Sequence, residues 1–212
     1  MNNRLRILVI LIGAFMVIAT FTYPRWQPFF VRQVAEDRFP GLSASQQTAF
    51  LALPTEQQGA FYELMSTADA TMVVGLVRGA IVPVTIVPTA NQGAPEMTDP
   101  TVVAVGTFKE IDAIHKASGK VTVFQLPDNS KVLRIEDFQV TNGPDLHVIL
   151  TRKANPLTAA DVGTDYYDLG NLQGTVGNQN YNMPSEVDLS QYLGVVIYSK
   201  LFQVVFSSAA IG

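Results

Sequence analysis

The sequence predicts a mainly β protein, with an antiparallel β-sandwich in its C-terminal half behind an N-terminal transmembrane helix and a group of short helices. Three observations carry this. From Thr101 onward, short β-branched and aromatic runs alternate with turn signals. An almost unbroken apolar run, Ile7 to Phe21, follows Arg4 and Arg6. Charged residues are 15% of the chain against 48% hydrophobic, with the apolar excess gathered near the start.

The β half reads as eight runs: VAVGTF, KVTVFQL, KVLRIEDFQV, DLHVILT, YYDLGNL, NQNYNM, VVIYS and FQVVFSS. Ala117-Ser118-Gly119, Pro127-Asp128-Asn129 and Asn142-Gly143-Pro144 separate several of them with residues that favour turns. Strands at this spacing over about 110 residues indicate a sandwich or barrel.

Residues 1–26 read as an uncleaved membrane anchor, with residues 7–23 facing lipid and Tyr23 and Trp26 at the far interface. A cleaved signal peptide is the competing reading, and bulky Thr20, Phe21 and Tyr23 after Val17-Ile18-Ala19 disfavour it. Residues 27–82 read as a helical region with two capping boxes, Ser43-Ala44-Ser45-Gln46 and Thr55-Glu56-Gln57-Gln58. Helices this short need a partner, so the region is expected to bind membrane proteins or pack on itself. Residues 71–87 resemble a second span, but Arg78 near the middle and Pro83 oppose it, which leaves a buried helix. Residues 83–100 hold four prolines and read as an extended tether, with the sandwich domain spanning 101–212.

Composition excludes several functions. There is no cysteine, so disulfide, thiolate-metal and thiol redox chemistry are absent. The net charge is −4 and the pI about 5.1, which offers no basic surface for nucleic acid. No GxSxG, phosphate-binding loop or dinucleotide fingerprint occurs, so the chain reads as not an enzyme and needing no cofactor.

Candidate ligands are few. His115 and Met183 are a conceivable haem-type pair without any supporting spacing rule. His115 reads instead as a support for the Ser118-Gly119 turn, and His147 as solvent-facing between Leu146 and Val148. Asp161, Asp165 and Asp168 suggest calcium but lack the spacing of a calcium loop, so they read as a solvated acidic loop and no metal site is expected.

Seven segments occur together in order: Gly106-Thr107-Phe108, His115 to Gly119, Leu133 to Phe138, Asn142 to Leu146, Asp168-Leu169-Gly170, Gly177 to Tyr181, and Val195 to Ser199. In combination they resemble the DM-thirteen domain, a proposed electron-transfer module grouped with the DOMON β-sandwiches, over residues 103–211. The resemblance implies an extracytoplasmic sandwich, often tethered to a membrane, here in a bacterial periplasm or at a cell surface. It implies structural roles for the signature residues Gly119, Phe138, Gly143, Pro144, Asp145, Gly170, Gln179 and Tyr181. It also places the family's redox cysteine at Ser199, whose hydroxyl cannot cycle as a thiol does.

The chain therefore reads first as a non-catalytic, single-pass accessory subunit of a membrane assembly. A free-standing tethered ligand-binding module is the alternative, and an electron-transfer protein with a non-covalent cofactor is the third.

Overall fold

A computed structural model describes residues 3–26, 38–82 and 92–212. Two compact units result, residues 1–38 and residues 39–212.

The first unit contains one helix, α1 (Asn3–Trp26). Leu8, Leu11, Ile12, Phe15 and Met16 along it are all exposed. The sequence leads one to expect a membrane-spanning helix here. Among the described residues, however, no helix is long and apolar enough to cross a membrane. The physical shortfall lies in the apolar run, since Ile7 to Phe21 rises only about 22 Å in a helix, against roughly 30 Å of hydrocarbon core. The side chains of Tyr23 and Trp26 lie outside the described set, as do residues 27–37 of the expected helical region.

The second unit begins with three helices, α2 (Ala44–Leu51), α3 (Thr55–Thr67) and α4 (Ala70–Ala80). The first capping box forms as the pattern predicts: Gln46 N–H donates to Ser43 Oγ, and Ser43 N–H donates to Gln46 Oε1 at 3.0 Å. The second does not. Thr55 is already helical behind Pro54, and Gln58 Nε2 donates to the Leu51 and Leu53 carbonyls instead, closing the end of α2. Phe39, Phe50 and Phe61 are fully buried against one another, with the Phe39 and Phe50 ring centroids 4.7 Å apart. Each such ring pair contributes about 0.5–1.5 kcal/mol beyond its burial.

Helix α4 accounts for the stretch that resembled a second span. It ends at Ala80 and buries Val73, Leu76 and Val77 in the core. Arg78 faces outward, where its guanidinium donates to the Gly41 carbonyl at 3.0 Å. Residues 83–91, including Pro83 and the first half of the expected tether, lie outside the described residues.

Eight strands follow: β1 (Thr101–Thr107), β2 (Ala117–Gln125), β3 (Lys131–Val140), β4 (Leu146–Thr151), β5 (Tyr167–Asn171), β6 (Gln179–Met183), β7 (Gly194–Ser199) and β8 (Val204–Ala210). A four-residue helix, α5 (Ala159–Val162), precedes β5. The strands form two four-stranded antiparallel sheets, ordered β1-β2-β3-β6 and β5-β4-β7-β8. This is the predicted sandwich. Val121, Val123, Leu133 and Ile135 from one sheet meet Val148, Leu150, Val195, Ile197 and Phe206 from the other in one core. The alternation of β-branched residues builds it, because side chains two apart share a face. Along one edge, Val105 and Gly212 exchange backbone hydrogen bonds, so β1 also meets the end of the second sheet.

The three helices share this core. Phe39, Phe50, Phe61 and Leu76 cluster with the strand residues. Two glycines one turn apart permit the approach of α4. A Cβ at Gly75 would stand 2.6 Å from the Phe202 ring, and one at Gly79 would stand 2.8 Å from the Asn142 carbonyl oxygen.

Candidate functional site: the closing turn at Ser199

Ser199 ends β7, and residues 200–203 turn the chain into β8. Its side chain is fully buried. The hydroxyl donates to the Pro144 carbonyl at 2.8 Å and accepts from the Phe202 N–H at 3.3 Å. The hydroxyl's proton and one of its two lone pairs are thus committed to backbone at a strand end. That second bond orients Phe202, whose ring fills the hollow over Gly75 of α4.

The Asn142–Leu146 loop forms the other side. Gly143 lies beneath the Phe206 ring, where any Cβ would overlap it. Asp145 adopts φ +52°, a left-handed conformation that Asp tolerates better than most residues, and its carbonyl accepts the Lys200 N–H at 3.1 Å. Thr175 Oγ1 donates to Asn142 Oδ1 at 3.0 Å, tying the loop to the segment before β6.

A charge cluster borders the turn. His147 Nδ1 lies 3.0 Å from Asp168 Oδ1, and its Nε2 lies 3.4 Å from Asp145 Oδ1. Lys200 Nζ donates to Asp168 Oδ2 at 2.9 Å. His147 points away from the core as the strand alternation predicts, but it does not face open solvent. The carboxylates of Asp145 and Asp168 enclose its ring, leaving the side chain 12% exposed. Partial burial would lift the Asp168 carboxyl. Hydrogen bonds from His147, Lys200 and the Gly170 N–H outweigh it and hold the group below the usual carboxylate range.

His115 sits elsewhere and is differently held. Its Nδ1 lies 2.8 Å from Asp112 Oδ2, while Asp112 Oδ1 accepts the N–H groups of Ile114 and His115 at 2.8 and 2.7 Å. The support therefore runs backward to an Asx-type turn at Asp112, not forward to Ser118-Gly119. Asp in that position closes its own turn by accepting N–H groups two and three residues on, which is the signal the sequence offered. Burial would raise the Asp112 carboxyl, but its bonds to His115, side chain and backbone, and the charge of His115 prevail, holding it at about 2. The ring packs edge-on against Phe206 at 4.6 Å, and its buried Nε2 has no hydrogen-bond partner among the described residues.

Met183 is not brought to His115. It pairs with Lys131 at the start of β3, whereas Ala117, two residues beyond His115, pairs with Val140 at the end of the same strand. Nine residues of strand separate those positions by roughly 30 Å. The acidic set is dispersed too, each member meeting a basic side chain: Asp161 with Lys153, Asp165 with Arg152, and Asp168 with Lys200 and His147. Among the described residues, no group of three or more His, Asp or Glu side chains converges to hold a metal ion.

The remaining signature residues fix backbone. Gly119 has φ +132° at an irregularity in the β2–β3 pairing, and a Cβ there would press on Phe138. Gly170, at φ +109°, donates to Asp168. Gln179 is fully buried, donating to the Gly174 carbonyl and accepting from the Tyr181 hydroxyl at 2.7 Å. Burial pushes the Tyr181 phenol up to about 12, against a smaller opposing effect of the Gln173 N–H.

Residues 107–211 match the family described as electron transfer DM13. The C-terminal half of this chain belongs to the DM13 family. No curated protein and no solved structure matches the chain. Within the DM13 domain, a thiol-based transfer centre does not fit the residues present, because the position that the resemblance gives to cysteine holds Ser199. Sequence reasoning missed three participants: Asp112, Phe202 and the glycine pair of α4. Besides the Asp112 turn, the glycines left a visible trace, as Gly75-Leu76-Val77-Arg78-Gly79 within an apolar helix.

Proposed function

We propose that this chain is a non-catalytic, membrane-held accessory protein whose DM13 domain lies outside the cytoplasm and serves as a scaffold within a membrane assembly. The observation that carries the reading is the state of Ser199. A fully buried hydroxyl that donates to the Pro144 carbonyl and accepts from the Phe202 N–H is engaged by backbone at a strand end, the place of a structural side chain more than of a nucleophile.

Two further observations support it. The apolar side chains of α1 stand exposed, and water is a poor cover for them. Residues 7–23 would lie in or on lipid. Leu51 and Tyr62 leave apolar surface on the helical layer after its main face has been used against the sandwich, which suits contact with a membrane-protein partner. Alkaline carbonate extraction of native membranes tests the attachment. Retention in the pellet, lost when Leu11 and Phe15 are both changed to Glu, is the expected result, and release of the wild-type chain would count against it.

One observation favours electron transfer with a non-covalent cofactor as the second reading, namely the unpartnered Nε2 of His115. With Asp112 against Nδ1, a neutral ring would carry its proton there and turn a lone pair outward at Nε2, the arrangement common in metal-bound histidines. An absorption band above the aromatic region in protein purified from its native membrane, lost in His115→Ala, would support that reading over the first.

A further inference from the structure

The sandwich has a second, smaller core on the outer face of the β5-β4-β7-β8 sheet. Ile149, Val196, Tyr198 and Val205 build it with Val162 of α5. Alternation along β7 places Tyr198 there, whereas Ile197 belongs to the main core. A cavity of about 490 Å³ opens beside this patch, between α5 and the β7–β8 turn. That volume lies within the range of about 300–1,000 Å³ usual for small-molecule sites. Tyr198 lines the cavity and is only 5% exposed. Its ring centroid lies 6.2 Å from that of Tyr166, which lines the same cavity. Among the described residues, neither phenol hydroxyl has a hydrogen-bond partner, and neither do the Thr164 hydroxyl and the Gln203 amide, which line it too. A buried hydroxyl left without a partner is costly, and native structures keep few of them.

We propose that this cavity binds a neutral sugar ring, a pyranose unit. Hydroxyl and amide groups both donate and accept, as the hydroxyls of a sugar do, and Tyr166, Tyr198, Thr164 and Gln203 supply four such groups. The two tyrosyl rings and the methyl groups of Ala159 and Ala160 supply an apolar wall for the C–H face of the ring. Charge at the rim argues for a neutral ligand. Lys200, the one cation lining the cavity among the described residues, already donates to Asp168 at 2.9 Å, and no carboxylate lines it. Burial, with the neighbouring Tyr166, pushes the Tyr198 phenol up, so it stays a neutral hydroxyl. Gln203 holds φ +55°, a left-handed conformation uncommon for a residue with a long side chain, and the turn thereby carries an amide at the rim. The site adds to the scaffold reading and does not depend on it.

The test uses the full chain in a polyoxyethylene detergent, which carries no sugar headgroup. Methyl β-glucoside, methyl α-mannoside and methyl β-galactoside are the neutral probes, and glucose 6-sulfate is the charged control. Saturation-transfer NMR reads contact, and calorimetric titration reads affinity. At least one neutral glycoside should bind, and more tightly than the sulfate. Tyr198→Phe should weaken that binding about two- to tenfold, the worth of one hydrogen bond. Its Tm should be unchanged, because the lost hydroxyl has no partner in the fold. Ala160→Trp, at an exposed position of α5, should fill the cavity and abolish binding without disturbing the core. Absence of transfer to all three glycosides, tighter binding of the sulfate, or an affinity that both variants leave unchanged would overturn the proposal.

Discussion

The Ser199 hydroxyl donates to the carbonyl of Pro144, 55 residues earlier in the chain, at 2.8 Å. This bond joins the end of β7 to the Asn142–Leu146 loop, and the Phe202 N–H closes the same hydroxyl from the other side. Ser199→Ala removes both bonds and leaves two backbone groups short of a partner. The expected cost is about 1–3 kcal/mol, read as a fall of a few degrees in Tm, with partner capture unchanged. Unaltered stability together with lost capture would mean that the hydroxyl serves function instead.

Ser199→Cys supplies a second test, because the chain has no other thiol. Full burial predicts that the introduced thiol resists Ellman's reagent in the native protein and reacts on addition of denaturant. Rapid labelling under native conditions would show that position 199 opens to solvent.

Gly79→Ala separates helix propensity from packing. In a free helix the change would stabilise by roughly 0.5–1 kcal/mol. Here the new Cβ stands 2.8 Å from the Asn142 carbonyl oxygen, a backbone atom that cannot swing aside. Destabilisation by about 1–3 kcal/mol is expected, seen as a lower denaturant midpoint. A rise in midpoint would mean that α4 does not lie against this loop.

Asp112 sets an acid dependence. Its folded-state pKa is about 2, below the ordinary 3.8, so its contribution is complete above pH 4 and is lost as pH falls from 4 toward 2. The carboxylate is half-exposed, and solvent screening limits the contribution to about 1 kcal/mol. Asp112→Asn should therefore lower Tm at pH 6, with the deficit shrinking below pH 4. A deficit that stays constant down to pH 2.5 would point to lost packing as the cause.

Tyr181 sets an alkaline one. Burial raises its pKa to about 12, so the fold favours the neutral phenol. That stability is whole below pH 10 and falls away as pH rises toward 12. Absorbance at about 295 nm should show a tyrosine titrating two units late, absent in Tyr181→Phe.

The β half was legible because its signal is local. Each of the eight apolar runs became a strand, since period-two alternation and the intervening turns act within a few residues. The Ser43 capping box was legible for the same reason. Thr55 was not, because Pro54 took the cap position and gave Gln58 a different acceptor. His147 and His115 were placed without their carboxylates, and for His147 one of the two arrives from Asp168, 21 residues away in another strand. The placement of α4 was hidden likewise. Glycines 75 and 79 matter because Phe202 and Asn142, far along the chain, fill the space above them.

Capture of the intact, tagged chain from its native membranes in mild detergent, with co-purifying proteins quantified by mass, tests the central claim most directly. A scaffold within a membrane assembly predicts stoichiometric membrane-protein partners, retained by Ser199→Ala. A chain recovered alone, or one whose partners vanish with the Ser199 hydroxyl while its fold persists, would contradict that account.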